Sequence, residues 1–169
     1  MSGVSRIRAV AIDVDGVLTD GTFWWGPDGQ EWKRFSFRDV MGVSRGLRAG
    51  LVFALISGED SPLVDRFARK LGIEDLFKGC KDKAAALREF ARSKDLPLSE
   101  IAFMGDDIND LDAMKLAGLS AAPADAHDSV RECAGFVARA AGGRGAVREL
   151  VDHLLNQNSP GATLCRVGS

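Results

Sequence analysis

Residues that define several large protein classes are scarce in this chain. It carries 3 cysteines and 2 histidines. Cys80, Cys133 and Cys165 are odd in number and widely spaced, with no CxxC pair, which argues against a disulfide framework. So little histidine leaves nothing to complete a zinc site. The thiols are expected to stay reduced, as in a cytoplasmic protein. Long hydrophobic runs are also missing. The apolar stretch from Ala9 to Ile12 is cut by Asp13, too short for the core of a secretory signal, and no later run approaches the roughly 20 residues of a membrane span. Nor is there an excess of one charge. The formal net charge is -2, and lysine and arginine are interleaved with acids, so no basic stripe offers a nucleic-acid groove. Neither membrane nor nucleic acid is an expected partner.

What remains is the composition of one globular domain. With 169 residues and 46% hydrophobic content, the chain can bury a single core. Apolar runs of strand length recur as "RAVAIDV" around Asp13, "LVFALI" (Leu51 to Ile56), "IAFM" (Ile101 to Met104), "LSAA" (Leu119 to Ala122) and "FVA" (Phe136 to Ala138). Each is continuous rather than alternating, the pattern of strands covered on both faces. Helical segments lie between them. Ser61 caps a predicted helix with Pro62 at its first position, running to Leu71 and closing at Gly72. Asp82 caps another through "KAAALREFARSK", and Val147, Leu150, Val151, Leu154 and Leu155 mark one apolar helix face. Strands alternating with helices predict a three-layer, doubly wound, Rossmann-like α/β fold with a parallel sheet. Residues 1–158 are expected to form this single domain, and 159–169, without periodicity, a disordered tail.

One stretch breaks the alternation. In "GTFWWGPDGQEWKRFSF", Gly21 to Phe37, two aromatic-rich runs flank "GPDG", which predicts an inserted β-hairpin. Phe23, Trp24, Trp25, Trp32, Phe35 and Phe37 give it more apolar surface than a lone two-stranded ribbon can expose. Either one face lies on the parent domain, or the hairpin joins subunits into an oligomer.

The residues that carry chemistry gather at strand ends. Asp13 and Asp15, one residue apart in an extended segment, point the same way at the carboxyl end of the first strand, where open α/β sheets bind ligands. Alone, such a pair is equally a cap or a turn. "MGDDINDLD" adds Asp106 and Asp107 at the end of the "IAFM" strand, and three carboxylates on neighbouring strand ends repel unless a hard cation such as Mg²⁺ compensates them. Ser57 and the backbone N–H of Gly58, after "LVFALI", can bind phosphate oxygens, and Lys83 supplies positive charge at a helix start.

Taken in order, "DVDGVLTD", "ISG", Lys83 in "CKDKAAA" and "GDDINDLD" resemble the four motifs of the haloacid dehalogenase superfamily of phosphohydrolases, over about Arg8 to Leu155. The resemblance implies a Mg²⁺-dependent phosphomonoesterase. Asp13 would attack phosphorus and form an aspartyl-phosphate, and Asp15 would serve as general acid and then general base. Ser57, Gly58 and Lys83 would hold the phosphate. Asp13, the backbone carbonyl of Asp15 and Asp106 would ligate Mg²⁺, with Asp107 and Asp110 orienting that shell.

About 40 residues separate Asp15 from Ser57, and the hairpin uses much of that length, leaving no room for the cap domain that many members insert. "DGVLTDG", "GxEWKxF", "RDxxG", "LGIxxLFxGxxDK" and "GGxGAVRE" are similar to capless phosphatases of phosphorylated 2-keto-3-deoxy sugar acids. These act on the eight-carbon 3-deoxy-manno-octulosonate 8-phosphate or on nine-carbon 9-phosphates. In that family the hairpins of four subunits build a central barrel, which implies a homotetramer. Glu59, after "ISG", resembles the nine-carbon group, since the eight-carbon enzymes commonly have arginine there; the plain alternative is a solvated loop residue. Arg66 and Lys70, one turn apart, are expected to bind the sugar carboxylate or a neighbouring subunit. Arg144, in a glycine-flanked segment expected to be mobile, is a substrate contact or an ordinary helix-start residue. Phe67 and Val40 depart from the family pattern without touching the phosphatase machinery. Two other classes share parts of this pattern. A phosphoacceptor receiver domain would carry an acceptor aspartate where this chain has Ser57, and a catalytically idle scaffold would have no need of the complete residue set.

Overall fold

The computed structural model describes residues 6–157, so Cys165 and the tail at 159–169 lie outside the described residues. The elements in order are β1 (Ala9–Ile12), β2 (Trp24–Trp25), β3 (Glu31–Trp32), α1 (Phe37–Arg48), β4 (Val52–Ile56), α2 (Pro62–Leu71), β5 (Asp75–Phe77), α3 (Lys83–Ser93), β6 (Ile101–Met104), α4 (Leu111–Leu116), β7 (Leu119–Ala122), α5 (Asp128–Cys133), β8 (Phe136–Val137) and α6 (Ala146–Gln157). Six strands form a parallel sheet in the order β5-β4-β1-β6-β7-β8. The chain winds outward from β1 through β4 and β5, then returns to β1's other side at β6. That reversal opens a crevice at the carboxyl ends of β1 and β6.

Side-chain alternation divides the core into two layers. Val10, Ile12, Phe53, Leu55 and Met104 pack with Val43 of α1, Phe67 and Leu71 of α2, and Leu150 and Leu154 of α6. Ala9, Ala11, Ile56, Ile101 and Phe103 pack on the other side with Leu87 and Phe90 of α3, Met114 of α4 and Val130 of α5. Every residue of β1 and β6 is buried, which accounts for their unbroken apolar sequence.

Local chemistry sets the helix ends. The Ser61 hydroxyl accepts from the Leu63 N–H, Pro62 follows, and Gly72 closes α2 at φ 72°. Asp82 accepts from the Ala85 N–H to start α3. The five strands read from apolar runs and the three helices read from caps and periodicity are all present; β5, α1, α4 and α5 carry weaker signals. β5 is a half-buried three-residue strand, too short for a run. α1 is capped by Ser36 and opens with Phe37, so the last aromatic of the expected hairpin belongs to this helix.

The "RDVMG" motif docks α1 onto α6. Asp39 is fully buried and its carboxylate accepts from the backbone N–H groups of Gly145 and Arg148, 3.1 Å each, capping α6 from a different helix. Burial pushes its pKa up, against the pull of those N–H groups. Gly42 permits the contact, since a Cβ there would sit 2.7 Å from the Cα of Arg148.

Candidate active site

Loops after β1, β4 and β6 and the start of α3 converge on the crevice. Asp13, Asp15, Gly21, Gly58, Glu59, Lys83, Asp106, Asp107 and Asn109 line a cleft of about 290 Å³. Parallel pairing does this directly: Ile12 is level with Met104 and Leu55, so the residues that follow each strand emerge side by side.

Asp13 and Lys83 are both buried, with Lys83 Nζ 2.8 Å from Asp13 Oδ1 and 2.6 Å from Asp110 Oδ1. Asp110 is completely buried, and its other oxygen accepts from the N–H groups of Asp106 (2.9 Å) and Asp107 (3.2 Å). Its carboxylate is thus held by three donors and fixes the loop that carries Asp106. Asp107 is exposed; its Oδ1 accepts from the Ile108 N–H at 2.7 Å and caps the short 3₁₀ turn Ile108–Asp110.

Carboxylate oxygens of Asp13, Asp106 and Asp110 lie within 4.8 Å of one another. Three carboxylates therefore face one ammonium. Burial first, and then the charge of Asp110, raises the Asp13 pKa well above the ordinary carboxylate range. Asp106 is pushed up to about 6, again chiefly by burial. Burial works against the Lys83 charge, but Asp13 and Asp110 hold its pKa above the ordinary value.

Two observations fit this cluster to a hard divalent cation. Asp106 Oδ1 is buried without a hydrogen-bond partner, and such a group calls for a donor or an ion. Gly16, at φ 90°, leaves room for the Asp106 carboxylate, because a Cβ there would overlap it. The donor set, all oxygen, suits Mg²⁺. The Asp15 side chain lies apart from the cluster and pairs with Lys33, 2.8 Å away, leaving its backbone carbonyl as the atom to offer an ion.

Of the other residues singled out from sequence, Ser57 sits just behind the cleft lining, 1% exposed, its Oγ accepting from the Glu59 N–H at 3.1 Å. Hydrogen bonds from Ser57 N to Phe77 O and from Cys80 N to Ser57 O lock this loop to the one after β5. Arg66 and Lys70 do not line the cleft. They border a separate cavity of about 500 Å³ between the hairpin base, α1 and α2, where Lys70 lies over the Phe37 ring and Phe35 stacks on Phe67 at 3.8 Å. Lys33, which also borders that cavity, pairs with Asp15 and Glu59 of the cleft. Arg144 is exposed and outside the cleft. The segment around it is packed rather than loose: Gly143 N–H donates to Val17 O at 2.8 Å, and Gly142, on the Gly16 carbonyl, has no space for a Cβ.

Lys33 belongs to the site although it stands outside the four phosphatase motifs. Its side chain is 2% exposed and its ammonium lies among Asp15, Glu59 and Glu31. Strand alternation carried the signal, since Lys33 must turn opposite to Trp32.

A doubly wound sheet with paired aspartates at its switch point defines a class, and a family model places the chain in it: residues 49–150 match the haloacid dehalogenase-like hydrolases. The chain belongs to that family. More closely, it is 39% identical over 155 residues to the 3-deoxy-D-manno-octulosonate 8-phosphate phosphatase KdsC of Escherichia coli, covering 92% of this chain and 82% of that one. It superposes on the corresponding Yersinia pestis phosphatase with a TM-score of 0.88 at 38% identity, covering 90% of this chain and 83% of the other. The Moraxella catarrhalis phosphatase, in complex with magnesium, phosphate and KDO, gives a TM-score of 0.87 at 34% identity, covering 89% and 87% of the two chains.

Proposed function

We propose that this chain, a single domain over residues 1–158, is a Mg²⁺-dependent phosphatase of phosphorylated 2-keto-3-deoxy sugar acids. The observation that carries the reading is the buried Asp13 carboxylate, paired with Lys83 beside the unpartnered Asp106 oxygen. Asp13, Asp106 and the Asp15 carbonyl would hold the ion, which when bound offsets the repulsion between the Asp13 carboxylate and an anionic ester.

The chain's own residues divide the work. Lys83 holds Asp13 in one orientation and neutralises charge on the phosphoryl oxygens, while the Ser57 hydroxyl and Gly58 N–H donate to the same group. An Asp13 oxygen bonds to phosphorus as the bond to the sugar oxygen breaks, and that oxygen leaves with a proton from Asp15. Asp15 then takes a proton from water, whose oxygen attacks phosphorus; the aspartyl bond breaks, restoring the Asp13 carboxylate and releasing inorganic phosphate.

The similar eight-carbon phosphatases support KDO 8-phosphate as substrate. Glu59 favours a second reading, a nine-carbon acid, because its carboxylate borders the cleft and can accept from sugar hydroxyls. Arg66 and Lys70, exposed on α2, are available to the acid's carboxylate or to a neighbouring subunit, and exposed Arg144 to a substrate held by an adjacent subunit. The hairpin's exposed aromatics assemble a homotetramer, whose surfaces stand in for a cap. Free Cys80 and Cys133 suit the reducing cytoplasm, and no helix among the described residues is long and apolar enough to cross a membrane.

Phosphate release from a panel of sugar-acid phosphates, with and without Mg²⁺, tests this. The eight- or nine-carbon acid esters should be the best substrates; a preference for a simple hexose phosphate would overturn the substrate class.

A further inference from the structure

Lys33 is an unusual residue for an exposed ribbon. It follows Trp32, which is 60% exposed, yet its own side chain is 2% exposed, with Nζ 2.8 Å from Asp15 Oδ1, 3.1 Å from Glu59 Oε2 and 3.6 Å from Glu31 Oε1. The three carboxylates come from the loop after β1, the loop after β4 and the hairpin. Among the described residues, Lys33 is the one cation paired with Asp15.

That pairing solves a problem of aim. Asp15 sits on a loop, a third of its side chain exposed, two residues from the acidic cluster of Asp13, Asp106 and Asp110. Like charge pushes its carboxylate away from that cluster, but repulsion alone selects no single rotamer. A group that must give a proton to one oxygen has to lie within hydrogen-bond reach of it, and a 1 Å misplacement can cost about 100-fold in rate. The Lys33 ammonium gives Asp15 a fixed partner on the side away from the ion site, and Glu59 and Glu31 hold that ammonium in turn.

We propose that Lys33 is a positioning residue for Asp15, setting the direction in which Asp15 delivers and accepts protons and tying the hairpin to that step. The inference rests on the phosphatase reading above. It separates the two halves of the reaction by their need for Asp15. A p-nitrophenolate leaving group departs without a proton, so formation of the aspartyl-phosphate from p-nitrophenyl phosphate makes little use of Asp15. Hydrolysis of that intermediate needs Asp15 to take a proton from water whatever group has left.

The test is stopped-flow and steady-state assay of wild type, Lys33→Met, Lys33→Gln and the surface variant Lys115→Met with Mg²⁺, on a sugar-acid phosphate and on p-nitrophenyl phosphate. An inactive wild type would sink the phosphatase reading itself. With an active wild type, both Lys33 variants should lose about 100-fold in kcat on the sugar ester, within the range for general acid–base catalysis. On p-nitrophenyl phosphate their first turnover should stay within about threefold of wild type while later turnovers slow at least about tenfold, leaving a burst of one nitrophenolate per active site. Lys115→Met, which removes a surface ammonium paired with Asp112 and leaves the Lys33–Asp15 pair intact, should show no increase in that burst over wild type. If first and later turnovers fall together in the Lys33 variants, or if both variants fail to fold by thermal unfolding, Lys33 serves the fold and the proposal is wrong.

Discussion

Asp13 and Asp110 bury nearly all of their surface although each carries a carboxylate, whereas Trp25 and Trp32, among the most hydrophobic residues present, stand 70% and 60% exposed. The cleft floor tolerates burial because nearly every polar atom there has a partner inside the same chain: Lys83 for Asp13, and Lys83 with two backbone N–H groups for Asp110. Asp106 Oδ1 is the exception, buried without a hydrogen-bond partner, and such an oxygen suits an ion. The hairpin has the opposite deficit. Its ribbon pairs Trp24 with Trp32 and Trp25 with Glu31, and Phe23 tilts against Trp25, but no layer among the described residues covers them. The floor meets most of its buried charge from within the chain, while the ribbon leaves its indoles facing solvent.

Removing the nucleophile sharpens this contrast most. Asp13→Asn should lower phosphate release by at least about 10⁴-fold, as loss of a covalent nucleophile does, while thermal unfolding stays within a few degrees of wild type. Asn keeps the shape, and burial already disfavours the Asp13 charge. Appreciable residual turnover would contradict the assignment.

The next effect is on stability. Asp39→Ala leaves two N–H groups at the start of α6 without their acceptor, a loss of about 3 kcal/mol from uncapping and unsatisfied burial, or roughly 6–12 °C in Tm. Asp39→Asn, which retains one acceptor oxygen, should lose about half as much. Since Gly142 and Gly143 lie behind the loop that follows Asp15, loosening the α6 start should also lower kcat modestly, without changing the metal requirement.

Metal removal probes the floor from another side. The folded-state pKa of Asp106 is raised from 3.8 to about 6, and that of Asp13 is also raised, by burial and by Asp110. A raised acid binds its proton more tightly in the folded state, so metal-free protein loses stability as pH climbs from about 4 through 6, on the order of 2 kcal/mol from Asp106. Bound Mg²⁺ favours the ionised carboxylates and reverses the slope. The gain in Tm on adding Mg²⁺ should therefore be larger at pH 8 than at pH 5, by thermal unfolding in matched buffers; an equal gain at both would argue that the ion binds elsewhere.

These two regions also differed in how far the sequence disclosed them. Asp13, Lys83 and Asp106 could be read because strand–loop spacing alone places strand-end residues together, and the strands β1, β4 and β6 are fully apolar runs. The motif implies an orienting role for Asp110, and its three donors fit that role. Lys33 was missed because its burial depends on how the ribbon folds back over the cleft, a tertiary fact with no local signature beyond alternation. Arg66 and Lys70 show the converse: helical spacing put them on one face, but only the packing of α1 against α2 decides that this face borders a different cavity. The "RDVMG" motif is visible as a pattern, but its reason lies in the packing of Asp39 and Gly42 against α6.

The smallest expected change in the single chain, and the clearest for assembly, comes from the hairpin. Trp24, Trp25 and Trp32 are all more than half exposed, so replacing all three by alanine removes little packing within one subunit, and each change should cost no more than about 0.5 kcal/mol of its stability. If these rings are the surface on which copies meet, the same triple variant loses the aromatic anchors of that interface, and light scattering after size exclusion should show particles of four chains becoming single chains. Activity would then fall through KM more than kcat, because Asp13, Lys83 and Asp106 remain assembled within each chain while the neighbour that covers the cleft is gone. A variant that keeps its four-chain mass would mean the exposed indoles are not what holds the copies together, and a wild type that is already a single chain would remove the assembly altogether.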